Sequence, residues 1–340
     1  MFLRLIGEEN GVAGGSSDGR VFCQASARLR GGAVIANTRI DVQTARGVLN
    51  RSAARVWTRL MLTASVAALL TLAAAPSFAA SAPQKEELVE FDRMTWPEVK
   101  AALAAGKTTA LFYTGGTEQR GPHVVNGGHN LLGPLIVKEI ALKLGNAIAM
   151  PVLPWTPNEA TPELPGTIGL TNDILFVVLE RVSEQAIKTG FKNVVLMADH
   201  GGGTSPDGGV YAAVAKKLDA KYAPQGIHVF YADHPYTKAR EDYTKILKER
   251  GYPDSGHAGL PDTSELMAKE DGTWVRKELL PKAVGTPMVD GKPKPGGPDD
   301  PKNGIMGDAR RSNIEIGNLR FNMKVDYAVK QINSLIPPKK

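Results

Sequence analysis

Two apolar strands, each running into a glycine-rich turn that carries histidine, constrain this chain more than any other feature. The first, TTALFYT, Thr108 to Thr114, leads into GGTEQRGPHVVNGGHN, Gly115 to Asn130. The second, VVLMA, Val194 to Ala198, leads into DHGGGTS, Asp199 to Ser205. Two strand ends that each offer polar side chains through a flexible turn point to one site at the carboxyl edge of a parallel sheet. The chain has six histidines, and three of them, His123, His129 and His200, fall in these two turns. Neutral imidazoles and a carboxylate such as Glu118, brought together from turns held by rigid strands, are the donors a divalent metal requires.

The rest of the chain alternates in the same way. Thr95 and Glu98 form a capping-box start for a helix closed by Gly106. A helix is expected near 130–144, a strand over 147–155, and a proline-rich loop, TPNEATPELPGTIGL, after it. A long helix then ends at Gly190, and the second apolar strand follows. A helix near 207–221, the strand IHVFYAD, a helix near 235–249 and a last helix near 313–334 complete the pattern. This alternation predicts an α/β fold with a mainly parallel sheet covered on both faces. Residues 285–303, rich in Gly, Pro, Lys and Asp, are expected to be a long surface loop.

The beginning of the chain reads differently. Residues 56–80 hold arginines, an apolar run from Leu60 to Ala75 and a small-residue end, the layout of a secretory signal cleaved after Ala79 or Ala80. The other reading is a membrane anchor, but the run is shorter than the ~20 residues a span needs. Residues 1–55 lack any period and are expected to be disordered or to precede the true start. Residues 81–340 form a single domain in this reading, exported to the periplasm. The only cysteine, Cys23, precedes the signal, so the mature chain has no thiolate to offer a metal or a substrate. The net charge of +6 is also a property of the leader: residues 1–80 carry +5 and the remainder about +1. A near-neutral domain makes no electrostatic case for nucleic acid or for a membrane surface.

Four blocks resemble the creatininase family, in order and over about residues 91–335. TEQRGPHVVNGGH is similar to that family's E-x-H-G-x-H block with an acid eleven residues after the glutamate. DHGGG resembles its N-G-H-G-G, HAGLPDTS (His257 to Ser264) its H-A-G-E-x-E-T-S, and GIMGDARRSNIEIG (Gly304 to Gly317) its C-terminal G-x-x-G-D-P pattern. The resemblance implies a creatininase-like three-layer α/β/α sandwich and a homo-oligomer. It also implies two shared divalent metals, and here the chain departs. Glu118 and His200 stand at ligand positions, and His129 stands where the family has its bridging acid. Arg120 stands in place of a ligand histidine, and Gly202 where some members have a ligand glutamate. Arginine is donor-only and cannot bind a cation. A guanidinium ~4 Å from a dication would be repelled by several kcal/mol. The expectation is therefore one divalent ion, zinc with manganese as the alternative, on Glu118, His129 and His200, with Arg120 replacing the second.

The function that follows is hydrolysis of a non-peptide or cyclic amide C–N bond in a small molecule, by a water that the metal acidifies. Asp199 or Asp262 would shuttle the proton, and Arg120 would hold an anionic group or the developing oxyanion. Asp199 could also orient an imidazole or act as a fourth ligand, and Asp262 could cap the helix TSELMAKE. His123 and His257 are weaker candidates for substrate or metal contact, with structural roles open to both. His228 and His234 read as packing or capping residues. The chain lacks the lysine and spacing of a P-loop and has no G-x-S-x-G elbow. Two other readings remain open: a non-catalytic binding protein on a degenerate hydrolase scaffold, and a metal-dependent lactonase.

Overall fold

The strand register decides where a site can form. In the computed structural model, which describes residues 87–294 and 302–336, the elements run in chain order. They are α1 (Trp96–Ala104), β1 (Thr109–Thr114), α2 (Gly128–Leu144), β2 (Ala147–Ala149), α3 (Asn172–Thr189), β3 (Asn193–Ala198), α4 (Val210–Tyr222) and β4 (His228–Tyr231). After them come α5 (Thr237–Glu249), α6 (Leu260–Met267), the short strands β5 (Met288–Val289) and β6 (Lys292–Pro293), and α7 (Ile314–Leu335). The main sheet has the order β2-β1-β3-β4, and every pairing in it is parallel. Thr114 is paired with Ala198, so the turns after β1 and β3 leave the same edge side by side. The expected juxtaposition of the two turns is thereby met. The signal-like segment and the first 55 residues lie outside the described residues. Among those described, no helix is long and apolar enough to cross a membrane.

Alternate side chains of the strands feed two separate cores, because successive residues of a strand face opposite sides. Leu111, Tyr113, Val195 and Met197 pack with Ile136 and Ile140 of α2 and with Val325, Ala328 and Ile332 of α7. Ala110, Val194 and Leu196 pack on the other side with Leu175 and Leu179 of α3 and Val214 and Leu218 of α4. Helices on both faces of a parallel sheet make the three-layer sandwich that the alternation predicted.

Local chemistry sets the element ends. Thr95 and Glu98 form the expected capping box, with Thr95 N–H donating to Glu98 Oε2 at 2.8 Å. Asn313 caps α7 by accepting from Ile316 N–H at 3.1 Å. Three boundaries differ from expectation. β2 stops at Ala149 rather than running to 155, since Pro151 and Pro154 have no N–H to give a ladder. α2 begins at Gly128, so His129 sits in a helical first turn and not in the loop. Within the expected loop 285–303, Met288–Val289 and Lys292–Pro293 pair as a tight hairpin. Its two turn residues, Asp290 and Gly291, have φ values of 49° and 73°, the signature of an Asp-Gly hairpin turn.

The contact between α6 and α7 matters most for the site, because α6 supplies Asp262 and Glu265 while α7 supplies Arg320 and Lys324. A Cβ at Gly317 would lie 1.9 Å from the Ser264 carbonyl oxygen. Propensity alone would make Gly317→Ala stabilising by about 1 kcal/mol in a helix interior. The backbone contact outweighs that, and the variant should instead lose about 1–3 kcal/mol. Denaturant unfolding gives the sign, and a gain in stability would show that the two helices do not meet so closely.

Candidate active site

The centre of the site is the Glu118 carboxylate, which the turn after β1 places at the sheet edge. Its Oε1 lies 3.0 Å from His129 Nε2, 3.0 Å from Arg120 Nη1 and 3.4 Å from His257 Nδ1. Its Oε2 lies 2.9 Å from His200 Nε2 and 3.3 Å from Asn158 Nδ2. The structure thus gathers Glu118, His129 and His200, as the two turns suggested. His257 joins them, and so does Asn158 from the proline-rich loop. Burial alone would raise the Glu118 pKa, but hydrogen bonds from His129 and His200 hold it well below the usual carboxylate range.

Behind this centre runs a buried ion network. Asp199 Oδ2 is 2.8 Å from His129 Nδ1, and its Oδ1 accepts from Lys324 Nζ at 2.6 Å. Lys324 also donates to Glu265 Oε2 at 2.7 Å. Arg320 bridges Asp262 Oδ1 at 2.7 Å and Glu265 Oε2 at 3.2 Å. Arg120 Nη2 reaches Asp262 Oδ2 at 2.8 Å, which closes the ring back to Glu118. Burial opposes ionisation of Asp199, yet the Lys324 ammonium and His129 hold its pKa well down. Asp262 is likewise held below its usual range, against burial, by the Arg120 and Arg320 guanidinium groups. The four carboxylates Glu118, Asp199, Asp262 and Glu265 face three fixed cations, Arg120, Arg320 and Lys324, which leaves one negative charge. His129 answers it: burial and Arg120 depress its pKa, but Asp199 and Glu118 outweigh them and the net direction is upward.

This geometry revises three expected roles. Arg120 is 1% exposed, has both terminal nitrogens committed to carboxylates and does not line the cavity. It therefore holds no substrate anion and acts as an internal cation. Asp199 and Asp262 line the cavity, but their oxygens are engaged and their proton affinity is low, so neither suits a proton shuttle. Of the roles considered for Asp199, the structure places it as the group that orients His129. Asp262 sits inside the first turn of α6 and accepts from Ala258 N–H at 3.0 Å. His123 is buried, bonded through Nε2 to Thr263 Oγ1 at 2.9 Å, and pushed down to about 4 by burial and then by Arg120. It stays neutral and backs the network. His228 pairs with Asp219 at 3.2 Å, and neither it nor His234 lines the cavity.

The cavity over Glu118 has a volume of about 300 Å³ and is lined by His129, His200 and His257 below and by Tyr236, Arg240 and Thr244 at the α5 side. That size suits a small molecule. His257 was undervalued from sequence. Its Nε2 donates to the Gln119 carbonyl oxygen at 2.6 Å, which leaves Nδ1 as the lone-pair nitrogen turned to the centre. Lys324 and Arg320 were missed altogether, although Lys324 interrupts the apolar stripe Phe321, Val325, Ala328, Ile332 of α7. A lysine at that position needs a buried partner, and that was the available signal.

Glu118, His129 and His200 offer one carboxylate and two imidazoles, the donor types a divalent ion takes. With Nδ1 of His129 facing Asp199, the Nε2 lone pair points at a carboxylate oxygen 3.0 Å away, an arrangement that requires a proton or a metal cation between them. His200 accepts Gly202 N–H at Nδ1 at 2.9 Å, so its Nε2 carries a proton that a metal would have to displace. As they stand, the donors are drawn together on protons, and among the described residues no group of three or more is spaced as a metal cage. The Arg120 guanidinium, 3.0 Å from Glu118 Oε1, opposes a further cation beside that oxygen. A side chain at position 202 would also collide, its Cβ lying 2.2 Å from the Pro157 carbonyl oxygen.

A parallel sheet between two helical layers, with a carboxylate–imidazole centre on the carboxyl edge of adjacent strands, defines an α/β protein with a small-molecule site. The comparisons then give the family. The model for creatininase, described as creatinine amidohydrolase, matches residues 92–332, and the chain belongs to that family of metal-dependent amidohydrolases. A creatinine amidohydrolase of Pseudomonas putida is 28% identical over 112 residues, which span 32% of this chain and 43% of that protein. A crystal structure of creatinine amidohydrolase (creatininase) superposes with a TM-score of 0.58 at 22% identity, covering 74% of this chain and all of the other. A putative creatinine amidohydrolase from Bacteroides fragilis does so with 0.55 at 17% identity, covering 74% of this chain and 98% of the other. Further creatininase structures that it resembles are described as Zn-Zn and Mn forms.

Proposed function

We propose that this chain hydrolyses a small non-peptide or cyclic amide at its C–N bond, in the cavity over Glu118, with one divalent ion on Glu118, His129 and His200. The observation that carries the reading is the file Asp199–His129–Glu118, whose two hydrogen-bond-length gaps fix the imidazole with a lone pair aimed at a carboxylate. A bound zinc or manganese ion would supply Lewis acidity, polarising a carbonyl and acidifying a water. The chain's own part is to hold and to move protons. Asp199 fixes the tautomer of His129, and Lys324 keeps Asp199 ionised. His257 Nδ1, on the cavity side and 3.4 Å from Glu118 Oε1, accepts the proton of the attacking water and returns it to the leaving nitrogen. Arg120 holds Glu118 and Asp262 in place from outside the cavity, and Arg320 holds Asp262.

The test is a panel of small cyclic amides, acyclic amides and lactones, assayed on the purified protein with zinc or manganese added. Turnover of at least one amide is expected, falling roughly 100-fold or more in His257→Asn. Elemental mass spectrometry should find about one equivalent of metal, lost in His129→Ala. Lactone turnover alone, or no turnover with full metal occupancy, would overturn the amidohydrolase reading. Export and self-association are parts of the same proposal. Sequencing of the mature N-terminus and light scattering test them, and an unprocessed monomer would contradict both.

A further inference from the structure

The charges of the cavity are matched except for one. Glu118, Asp199 and Asp262 each face cations or imidazoles of the network, and Arg320 is held by Asp262 and Glu265. Arg240 stands apart. It lies at the mouth of the cavity on α5, one helical turn from Tyr236 and one from Thr244, which line the same wall. Among the described residues its only polar side-chain contact is Nη1 to the Tyr236 hydroxyl oxygen at 3.3 Å, with the guanidinium carbon 5.9 Å from that ring's centre. No carboxylate of the described residues forms an ion pair with it. The neighbouring acids Glu241 and Asp242 are taken by Lys238, at 3.0 and 3.1 Å.

We infer that the substrate carries a carboxylate as well as its scissile amide, and that Arg240 and Tyr236 bind that carboxylate. Arginine presents a planar fork of donors that matches a carboxylate, and stacking near an aromatic ring holds the fork in place. The Tyr236 oxygen accepts from Arg240, which leaves its own O–H free to donate to the same anion. Burial raises the Tyr236 pKa, so this donor persists at neutral pH. Arg240 is itself exposed, and the concave wall it lines focuses its field on the cavity. The site therefore selects an acid-bearing amide over its neutral analogue. This inference deepens the amidohydrolase reading and rests on it only for the amide, since the carboxylate preference is a property of binding.

Three matched pairs test it by calorimetry: 2-pyrrolidone against 2-pyrrolidone-5-carboxylate, N-methylacetamide against N-acetylglycine, and hydantoin against hydantoin-5-acetate. In at least one pair the acid should bind about tenfold tighter or better to the native protein. The preference should weaken as salt is raised. In Arg240→Gln it should fall to about threefold or less, with binding of the neutral member unchanged; Arg240→Lys should keep part of it, as a point charge without the fork. Equal affinities in all three pairs, or a preference that survives in Arg240→Gln, would overturn the inference. The two readings fail separately. A carboxylate preference without hydrolysis of any amide would sink the hydrolase and leave Arg240 as argued. Hydrolysis of neutral and acidic amides alike, with no preference in binding, would do the reverse.

Discussion

Lys324→Met will lower stability by about 3–5 kcal/mol, the cost of leaving a buried ion without its partner. Lys324 is 3% exposed and its ammonium lies 2.6 Å from Asp199 and 2.7 Å from Glu265. Methionine has a similar length and fills much of the same volume, so the cavity contribution is small and the loss reports the charge. Glu265 keeps Arg320 at 3.2 Å, whereas Asp199 is left with His129 at 2.8 Å among its ion pairs in the described residues. For a domain of this size each kcal/mol is about 2–4 °C, so the melting temperature should drop by roughly 6–20 °C. Lys324→Met combined with Glu265→Gln should recover about 1 kcal/mol or more, because one of the two stranded carboxylates is then neutral. A single variant within 1 kcal/mol of the native protein would mean that the ammonium does not balance these acids.

The same network explains how far the sequence could be read. Apolar strands and glycine turns announce themselves locally, and the parallel register then forces the two turns together. Glu118, His129 and His200 were therefore legible. What those residues touch was not, because the partners come from far along the chain: Lys324 is 125 positions from Asp199. A lysine or arginine on a helix reads as solvated unless the apolar stripe around it is counted, and α7 hides Arg320 and Lys324 along that stripe. Arg120 was legible as a cation in place of a ligand, yet its direction was not. A turn residue could as well have faced the cavity, and only the position of Asp262 on α6 turns it inward. The hairpin at 288–293 carried an audible signal, Asp290-Gly291, that was lost in a stretch dominated by proline and lysine.

The second large effect belongs to Arg120. Arg120→Met should cost about 3–5 kcal/mol, since a fully buried guanidinium bridging Glu118 at 3.0 Å and Asp262 at 2.8 Å is removed from between them. The pH dependence of that loss follows from Asp262. Its folded pKa is depressed, with burial opposing and the Arg120 and Arg320 guanidinium groups prevailing. A depressed carboxylate stabilises the fold above its unfolded pKa and loses that contribution as the pH falls toward the folded value. The gap between native protein and Arg120→Met should therefore be full at neutral pH and narrow below about pH 4. Arg120→His separates charge from shape. An imidazole between the two carboxylates can hold zinc or manganese where the guanidinium stood, so added metal should raise the melting temperature of Arg120→His more than that of Arg120→Met. If metal stabilises neither variant, or the methionine variant loses less than about 1 kcal/mol, then the guanidinium is not serving as the cation between Glu118 and Asp262, and the case for a single-ion site loses its principal structural support.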